Sequence, residues 1–279
     1  MAYLPENRAA PRRRSFLNIP ATTRHMSYRR AVGAALAVAF GGFVPGAAIA
    51  EANEDEDHTS IGLGAIVTPK YEGGRDLQVK PLPIIDIHQG RFFADWRNGV
   101  GIKAIHEPWV TVGMSAVYMP GYKDTSVPPG VGKLGDGAGA RLFAEFRFGD
   151  FQAIVGGIKT VSGGTGGFIA DLSLNYEYEL NDRVSLKAGV LTTWADTKYT
   201  DRYFGINQAQ SAASGLPEYH PEGGFKDVSF ALSANIGLTE RTILTVSAGA
   251  ARILGDAARS PLVQRRIQPL GVLALTYTF

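Results

Sequence analysis

The side chains that could carry acid–base or nucleophilic chemistry in this sequence are few. The chain has five histidines and no cysteine, which excludes thiolate catalysis and cysteine-bound metals. An acyl-transfer site needs a serine nucleophile within reach of a base that a carboxylate orients. His58 ends an acidic run, His88 and His106 lie beside predicted tight turns, and His220 lies in a long polar segment. None of the four shares a predicted face with a serine and a carboxylate, so we expect no catalytic residue, no cofactor and no metal site.

Two short segments offer weaker candidates for ligand binding. Residues 161–167, VSGGTGG, are rich in glycine, but a phosphate-binding loop also needs a lysine and a following helix, which this segment lacks. We interpret it as an outer loop. Residues 51–58, EANEDEDH, could attract a divalent cation, but an acidic run of this kind is typical of a solvated tail.

The remaining polar candidates recur at every second position of segments that are otherwise apolar. In residues 168–180, FIADLSLNYEYEL, apolar and aromatic side chains form one face and polar side chains form the other. This period of two is that of a β-strand. Four basic and four acidic side chains, together with one asparagine, share the polar face of such strands: Arg141, Glu145, Arg147, Asp171, Asn175, Glu177, Glu179, Arg183 and Lys187. The balance of sign favours mutual pairing over an ion-selective pore, in which one sign would dominate.

The elements that carry these residues predict an all-β protein, a transmembrane antiparallel up-and-down β-barrel. Tight turns alternate with long polar loops, and the last ten residues, LGVLALTYTF, read as a strand to the final Phe279. That asymmetry of turns and loops is typical of outer-membrane barrels. A soluble antiparallel sandwich, which also alternates, is the alternative. Ten strands are evident, and a hairpin turn at Asn98-Gly99 would divide residues 91–106 into two more, giving twelve, with ten as the alternative.

One register follows from the alternation. Leu180 and Val184 are both on the apolar face, so the turn between them must preserve the face. A three-residue turn of Asn181, Asp182 and Arg183, with Asn or Asp in the left-handed conformation, would do so. It places Glu177 directly opposite Lys187.

A leader precedes the barrel. Arg29 and Arg30 come before an apolar stretch of 14 residues and an Ala-Ile-Ala site that ends at Ala50, which is typical of a cleaved signal peptide. We therefore expect a signal peptide at 1–50, with Met26 as an alternative start, a periplasmic acidic tail at 51–58, and the barrel at 59–279. Beyond residue 50 the chain has 21 Lys and Arg against 25 Asp and Glu, so nothing indicates nucleic-acid binding.

Several motifs resemble the MipA/OmpV family of outer-membrane proteins. They are YEGG (71–74), PLPIIDI (81–87), RFFADWRNGVGI (91–102), YFGI (203–206), SGLPEY (214–219), GGFKDV (223–228) and LGDAARSPLV (254–263). The family-like residues of the outer loops are Tyr203, Phe204, Gly205, Ser214, Gly215, Leu216, Ser260 and Pro261.

The resemblance implies a barrel in the cell outer membrane, in contact with outer-membrane lipid. In one branch of the family it implies a scaffold that links a murein lytic transglycosylase to a penicillin-binding protein. Other members are described as osmoregulated porins or as adhesins, which leaves a narrow solute channel and a surface adhesin as alternatives. The motifs carry no catalytic residues.

Overall fold

The computed structural model describes residues 57–279. The predicted signal peptide, the alternative start at Met26 and nearly all of the acidic tail lie outside the described residues. Neither of the two α-helices in the described part of the chain is long and apolar enough to cross a membrane.

Twelve antiparallel strands form one closed barrel, in which each strand pairs with its neighbours in the sequence and the first strand pairs with the last. The strands are β1 (His58–Pro69), β2 (Leu77–Gln89), β3 (Phe92–Asp95), β4 (Gly99–Glu107), β5 (Val110–Met119), β6 (Gly137–Phe148), β7 (Phe151–Gly163), β8 (Phe168–Asn181), β9 (Val184–Ala195), β10 (Gly224–Gly237), β11 (Thr242–Ile253) and β12 (Ile267–Thr278). The predicted fold and the higher strand count are confirmed.

The alternation along each strand separates an apolar outer face from a polar inner face, as predicted. On β8, Leu174 is 53% exposed while the adjacent Ser173 is 1% exposed. Exposed aromatic side chains lie at both ends of the strands. At the tight-turn end they include Phe92, Trp109, Phe148, Phe151, Tyr178 and Phe279, and at the long-loop end Tyr118, Trp194 and Phe225. Two aromatic girdles around an apolar band are characteristic of barrels that span the outer membrane.

The C-terminal strand is tied down along its length. β12 pairs with β1 from Thr278 opposite Ser60 to Gly271 opposite Val67, and the backbone N–H of Phe279 donates to the Thr59 carbonyl. A closed barrel leaves no strand edge in hydrocarbon at this seam, because both ends of the sheet are paired there.

The hairpin of β3 and β4 differs from its predicted form. A turn at Asn98-Gly99 would let the first strand run from residue 91 to 97, whereas β3 has only four residues, and Asp95 pairs with Gly99. The turn therefore consists of the three residues 96–98, and not of a two-residue Asn98-Gly99 turn. Gly99 has a φ of +80°, a left-handed conformation that glycine adopts without steric cost. The Asp95 carboxylate accepts the backbone N–H of Asn98 at 2.5 Å. This hydrogen bond closes the turn immediately after Asp95, so β3 is shorter than the other strands.

The predicted β8–β9 register is confirmed, since Glu177 is paired with Lys187. The predicted turn is wrong. Asn181 pairs with Val184 around a two-residue turn, and a bulge between Glu179 and Asn181 takes up the extra residue. No residue other than glycine has a positive φ in residues 57–279. The Asn181 side chain instead accepts the backbone N–H groups of Arg183 and Val184.

The loop from 196 to 223 holds the two helices, α1 (Thr197–Phe204) and α2 (Gln208–Ser214). Asp196 caps α1 by accepting the backbone N–H of Tyr199. Asn207 and Gln210 form a reciprocal capping box at the start of α2. These caps hold the longest outer loop in a defined shape over the barrel mouth.

Candidate functional site: the barrel lumen and its outer lid

The tip of the β3–β4 hairpin, residues Trp96, Arg97 and Asn98, lies inside the barrel. The Arg97 Nη2 donates to the Ser173 hydroxyl on β8 at 2.6 Å, and four strands separate β8 from β3 along the barrel wall. Trp96 packs on the opposite side against an inward apolar cluster of Ile66, Leu82, Ile84, Val272 and Ala274, which belongs to β1, β2 and β12. The tip therefore bridges the lumen from wall to wall, and we call it the lumen tip.

A buried ion pair supports the lumen tip. Arg141 on β6 donates from its two terminal nitrogens to the two carboxylate oxygens of Asp171 on β8, at 2.6 and 2.9 Å. Its Nε donates to the Asn98 side chain of the lumen tip at 3.3 Å. The intervening strand β7 has Gly156 at this level, where a Cβ would lie 2.5 Å from an Arg141 nitrogen. The missing side chain lets the guanidinium reach across β7.

Below this pair, towards the tight turns, polar side chains pair across neighbouring strands. Arg147 and Gln152 both donate to the same oxygen of Glu145, at 3.0 and 2.6 Å. Asn175 donates to the Gln152 side-chain oxygen at 3.0 Å. These side chains form a connected polar network along the inner wall of β6, β7 and β8.

The nine polar residues that the sequence assigned to the interior separate into two groups. Arg141, Glu145, Asp171, Asn175 and Lys187 are buried in the lumen, and Arg147 and Glu177 are half-buried. Glu179 and Arg183 are exposed at the tight-turn end, where β8 ends and β9 begins. Sequence reasoning missed the lumen tip, because periodicity predicts strands and turns but not a turn that folds inward.

Four outer segments, 70–76, 120–136, 196–223 and 254–266, pack together over the long-loop mouth, and we call this assembly the outer lid. Its core includes Tyr71, Tyr122, Val131, Tyr203, Phe204 and Leu262, all buried. The Tyr122 and Tyr203 rings meet edge to face at 5.3 Å between centroids. The Tyr71 hydroxyl donates to the Leu262 carbonyl at 2.8 Å. Apolar packing thus holds the four segments together at the mouth.

The family-like loop residues meet in the outer lid. The Ser260 hydroxyl donates to the Phe204 carbonyl at 2.5 Å and accepts the backbone N–H of Leu262. Pro261 occupies the second position of a turn that the Val263 N–H closes on the Ser260 carbonyl. The Ser214 hydroxyl accepts the backbone N–H of Leu216 at 3.2 Å. Gly205 and Gly215 end α1 and α2, and Gly215 has a φ of +73°.

A charged cluster lies beneath the outer lid. Lys226, at a bulge where β10 begins, donates to Glu72 at 2.5 Å and also to Asp227. Thr193 donates to the same Asp227 oxygen at 2.8 Å. Burial raises the pKa of the Glu72 carboxyl from its ordinary value of 4.5 to about 7. The negative charge of Asp227 adds to this increase and the positive charge of Lys226 opposes it.

The free energy of unfolding of the barrel should fall as the pH rises from 4.5 to about 7. The folded protein holds a proton on Glu72 between pH 4.5 and about 7 that the unfolded chain has already released, so folding is favoured at the lower pH. Glu72→Gln should flatten this part of the profile, because it removes the carboxyl whose pKa is raised. The other titratable groups around it, Lys226, Asp227, Tyr199 and Tyr203, remain in the variant. Urea unfolding in detergent at about pH 5 and about pH 8 measures the difference. An identical pH profile for the wild type and the variant would contradict the assignment.

Two of the histidines lie at opposite ends of the barrel. The His106 ring contacts the Thr111 hydroxyl at 3.1 Å at the tight-turn end, and His220 contacts Asp201 at 2.9 Å on the exposed surface of the outer lid. His58 and His88 stack on each other at 4.8 Å between ring centroids.

Comparison with known proteins places these features in a family. The profile of the family described as "MltA-interacting protein MipA" matches residues 61–279. The putative outer membrane protein YiaT of Escherichia coli (strain K12) is 23% identical over 227 residues, which is 79% of this chain and 90% of that protein. The 24 kDa outer membrane protein of Pasteurella multocida (strain Pm70) is 26% identical over 117 residues, 42% of this chain and 45% of that protein.

Among solved structures, the KdgM porin aligns with 79% of this chain and 99% of its own, with a TM-score of 0.44 and 8% identity. The outer membrane channel DcaP of Acinetobacter baumannii aligns with 80% of this chain and 96% of its own, with a TM-score of 0.41 and 8% identity. The relatives matched by sequence are named as outer-membrane proteins, and the aromatic girdles and apolar band place this barrel in the outer membrane.

Proposed function

We propose, since this chain belongs to the MltA-interacting protein MipA family of outer-membrane β-barrels, that it is a non-enzymatic, non-conducting anchor for a murein lytic transglycosylase. The anchored enzyme would be held at the periplasmic face, where a penicillin-binding protein could join it as a second partner. The family name supplies the class of the first partner, and the second rests on the resemblance alone.

The occluded lumen is the observation that carries this proposal. A twelve-strand barrel is wider than the eight-strand barrels that side chains fill unaided, so an open channel would need only an empty interior. Here the lumen tip crosses the interior at the level of Arg141 and Ser173, and the outer lid buries Tyr203 and Phe204 over the mouth. Two successive barriers favour an anchor over a porin.

The tight turns are the surface that an anchored periplasmic enzyme would contact. Short turns of such barrels face the periplasm. Exposed charges mark these turns, with both signs represented: Arg91, Asp150, Asp182, Arg183, Glu240 and Arg241. A mixed-charge surface of this kind sets the orientation and the association rate of a charged partner more than it sets the affinity.

A narrow solute channel is the second candidate, and one observation favours it. β2 pairs with the short β3 through three residue pairs, and the lumen tip is anchored through Arg97 and Asn98. A hairpin with so little strand pairing could move aside. A surface adhesin is third, and it would use exposed parts of the outer lid and not the buried Tyr203 and Phe204.

Two measurements test the proposal together. In planar bilayers the wild-type barrel should show no stepwise conductance, because both barriers are in place. Immobilised in nanodiscs, it should capture the soluble part of a lytic transglycosylase. Replacing the charges of two turns by serine (Asp182, Arg183, Glu240 and Arg241) should lower the rate of capture by about tenfold, because exposed charges act mainly on association.

A matched variant controls for non-specific loss of charge. Serine substitutions at Lys123 and Asp124 alter exposed charges of the outer lid and should leave capture unchanged. Heat-dependent mobility in detergent gels confirms that each variant is folded. Porin-like conductance of the wild type would favour the channel, and equal capture by both variants would refute the tight turns as the binding face.

A further inference from the structure

His58, Asp86 and His88 come together inside the barrel at the tight-turn end. The register of β1 and β2 pairs His58 with His88, and Asp86 lies two residues before His88 on the same inward face. The His58 Nε2 lies 2.6 Å from one Asp86 oxygen, and the His88 Nε2 lies 3.2 Å from the other. One potential ligand atom from each of the three residues lies within 4.8 Å of the others. Within residues 57–279, this is the place where three His, Asp or Glu side chains bring potential metal-ligand atoms this close together.

A fourth potential ligand comes from β3. The Asp95 Oδ2 lies 4.0 Å from the His88 Nε2, and its other oxygen holds the backbone N–H of Asn98 in the lumen tip. The four side chains are each at most 9% exposed. Three strands therefore present two imidazoles and two carboxylates to one small, enclosed volume.

The spacing of these atoms suits a tetrahedral ion. Zinc–nitrogen and zinc–oxygen bonds of about 2.0–2.1 Å place adjacent tetrahedral ligand atoms about 3.3 Å apart. The separations of 2.6 and 3.2 Å join the two imidazoles to different oxygens of Asp86, and the separation of 4.0 Å joins His88 to Asp95. These distances bracket the tetrahedral value, and binding would require the side chains to turn so that one oxygen of each carboxylate faces the ion. Two imidazole ligands favour a transition-series ion over calcium or magnesium, which prefer oxygen ligands.

The charge of the site also suits a cation. Two buried carboxylates, Asp86 and Asp95, share one volume with two imidazoles that are neutral when they bind a metal, and buried charges are normally paired or bound to a metal.

We propose that His58, Asp86 and His88 form a Zn²⁺ site, with Asp95 as the fourth ligand. The ion is structural, because four protein ligands close its coordination shell. It joins β1, β2 and β3 at the tight-turn end, and through Asp95 it holds the base of the hairpin whose turn is the lumen tip. Zinc binding therefore stabilises the occluded lumen independently of any partner at the tight turns.

Equilibrium dialysis of the full mature barrel, refolded in detergent, tests this with Zn²⁺. We expect one equivalent per barrel, and Co²⁺ in its place should give the strong visible absorption of a four-coordinate ion. His88→Ala and Asp86→Asn should each weaken binding at least about tenfold. Saturating Zn²⁺ should raise the unfolding temperature of the wild type and leave that of His88→Ala unchanged, because only a folded-state site stabilises in this way.

Two matched variants separate the site from other metal-binding groups. His220→Ala removes an exposed histidine of the outer lid and should bind zinc as the wild type does. The triple change Glu54→Gln, Asp55→Asn and Glu56→Gln removes three of the five acidic side chains in the acidic run before β1, and this variant should also bind zinc normally. Absence of stoichiometric zinc binding by the wild type, or loss of binding in the triple variant, would overturn the proposal. So would unchanged zinc binding by His88→Ala when its heat-dependent gel mobility shows that this variant is folded.

Discussion

Arg141→Ala should lower the free energy of unfolding by about 3–5 kcal/mol, the cost of removing one partner from a buried ion pair. The loss comes mainly from Asp171, which is 3% exposed and would lose both of its charge-assisted hydrogen bonds to the guanidinium. Asn98 of the lumen tip would lose its contact at the same time. Urea unfolding in phospholipid vesicles, followed by tryptophan fluorescence, measures the change.

Two controls identify the cause. Arg141→Ala combined with Asp171→Ala removes both charges and should recover much of the stability, because no uncompensated charge is left in the lumen. Arg183→Ala changes an exposed arginine at the tight-turn end and should change stability by less than about 0.5 kcal/mol. If the single and double variants at 141 and 171 were equally destabilised, packing and not charge would account for the loss.

Each substitution by arginine at a mid-strand, lipid-facing position should lower the free energy of unfolding by about 2–4 kcal/mol. Leu174 on β8 and Leu232 on β10 are 53% and 54% exposed on the outer face near the middle of their strands, where the apolar band is driest. Refolding into vesicles of Leu174→Arg and Leu232→Arg measures the penalty.

Leucines near the ends of the same strands provide the control, because they lie closer to the membrane surface. Leu180 and Leu238 face outward where β8 and β10 meet the tight turns, and arginine there should cost only about 0–1 kcal/mol. On the inner face, Ser173 and Ser233 are hydrogen-bonded and buried, so serine-to-alanine changes are the appropriate comparison. Equal losses at mid-strand and strand-end leucines would refute the placement of the apolar band.

The fold could be predicted from the sequence because alternation is a local signal. On β8 the apolar face from Phe168 to Leu180 and the polar face from Asp171 to Glu179 follow from the period of two alone. The same signal gave the Glu177–Lys187 register. The family resemblance, which rested on loop motifs, is confirmed by the profile match over residues 61–279.

The inward hairpin could not be predicted because its determinants are distant in the sequence. Arg97 stays in the lumen through Ser173, and Asn98 through Arg141. Periodicity gives no signal for such contacts. It placed Asn98-Gly99 in the turn itself, whereas the Asp95 carboxylate sets a three-residue turn before Gly99.

The cluster of His58, Asp86 and His88 was missed for a related reason. His58 reads as the end of an acidic tail, and only the β1–β2 register places it opposite His88. The outer lid likewise depends on four separate loops. Tyr71, Tyr122 and Tyr203 are far apart in the sequence and meet only in the folded chain.

The seam between β1 and β12 determines how this barrel must fold. Of the twelve strand pairings in residues 57–279, eleven join sequence neighbours and can form as local hairpins, whereas Ser60 must find Thr278 across nearly the whole chain. Contacts of such long range slow folding, because the entropy of closing the loop is lost before the contacts form. Until the seam closes, the sheet has two open edges, each able to pair with another chain. We therefore expect closure to be the slow step, and the interval before it to be when this protein is most vulnerable to aggregation.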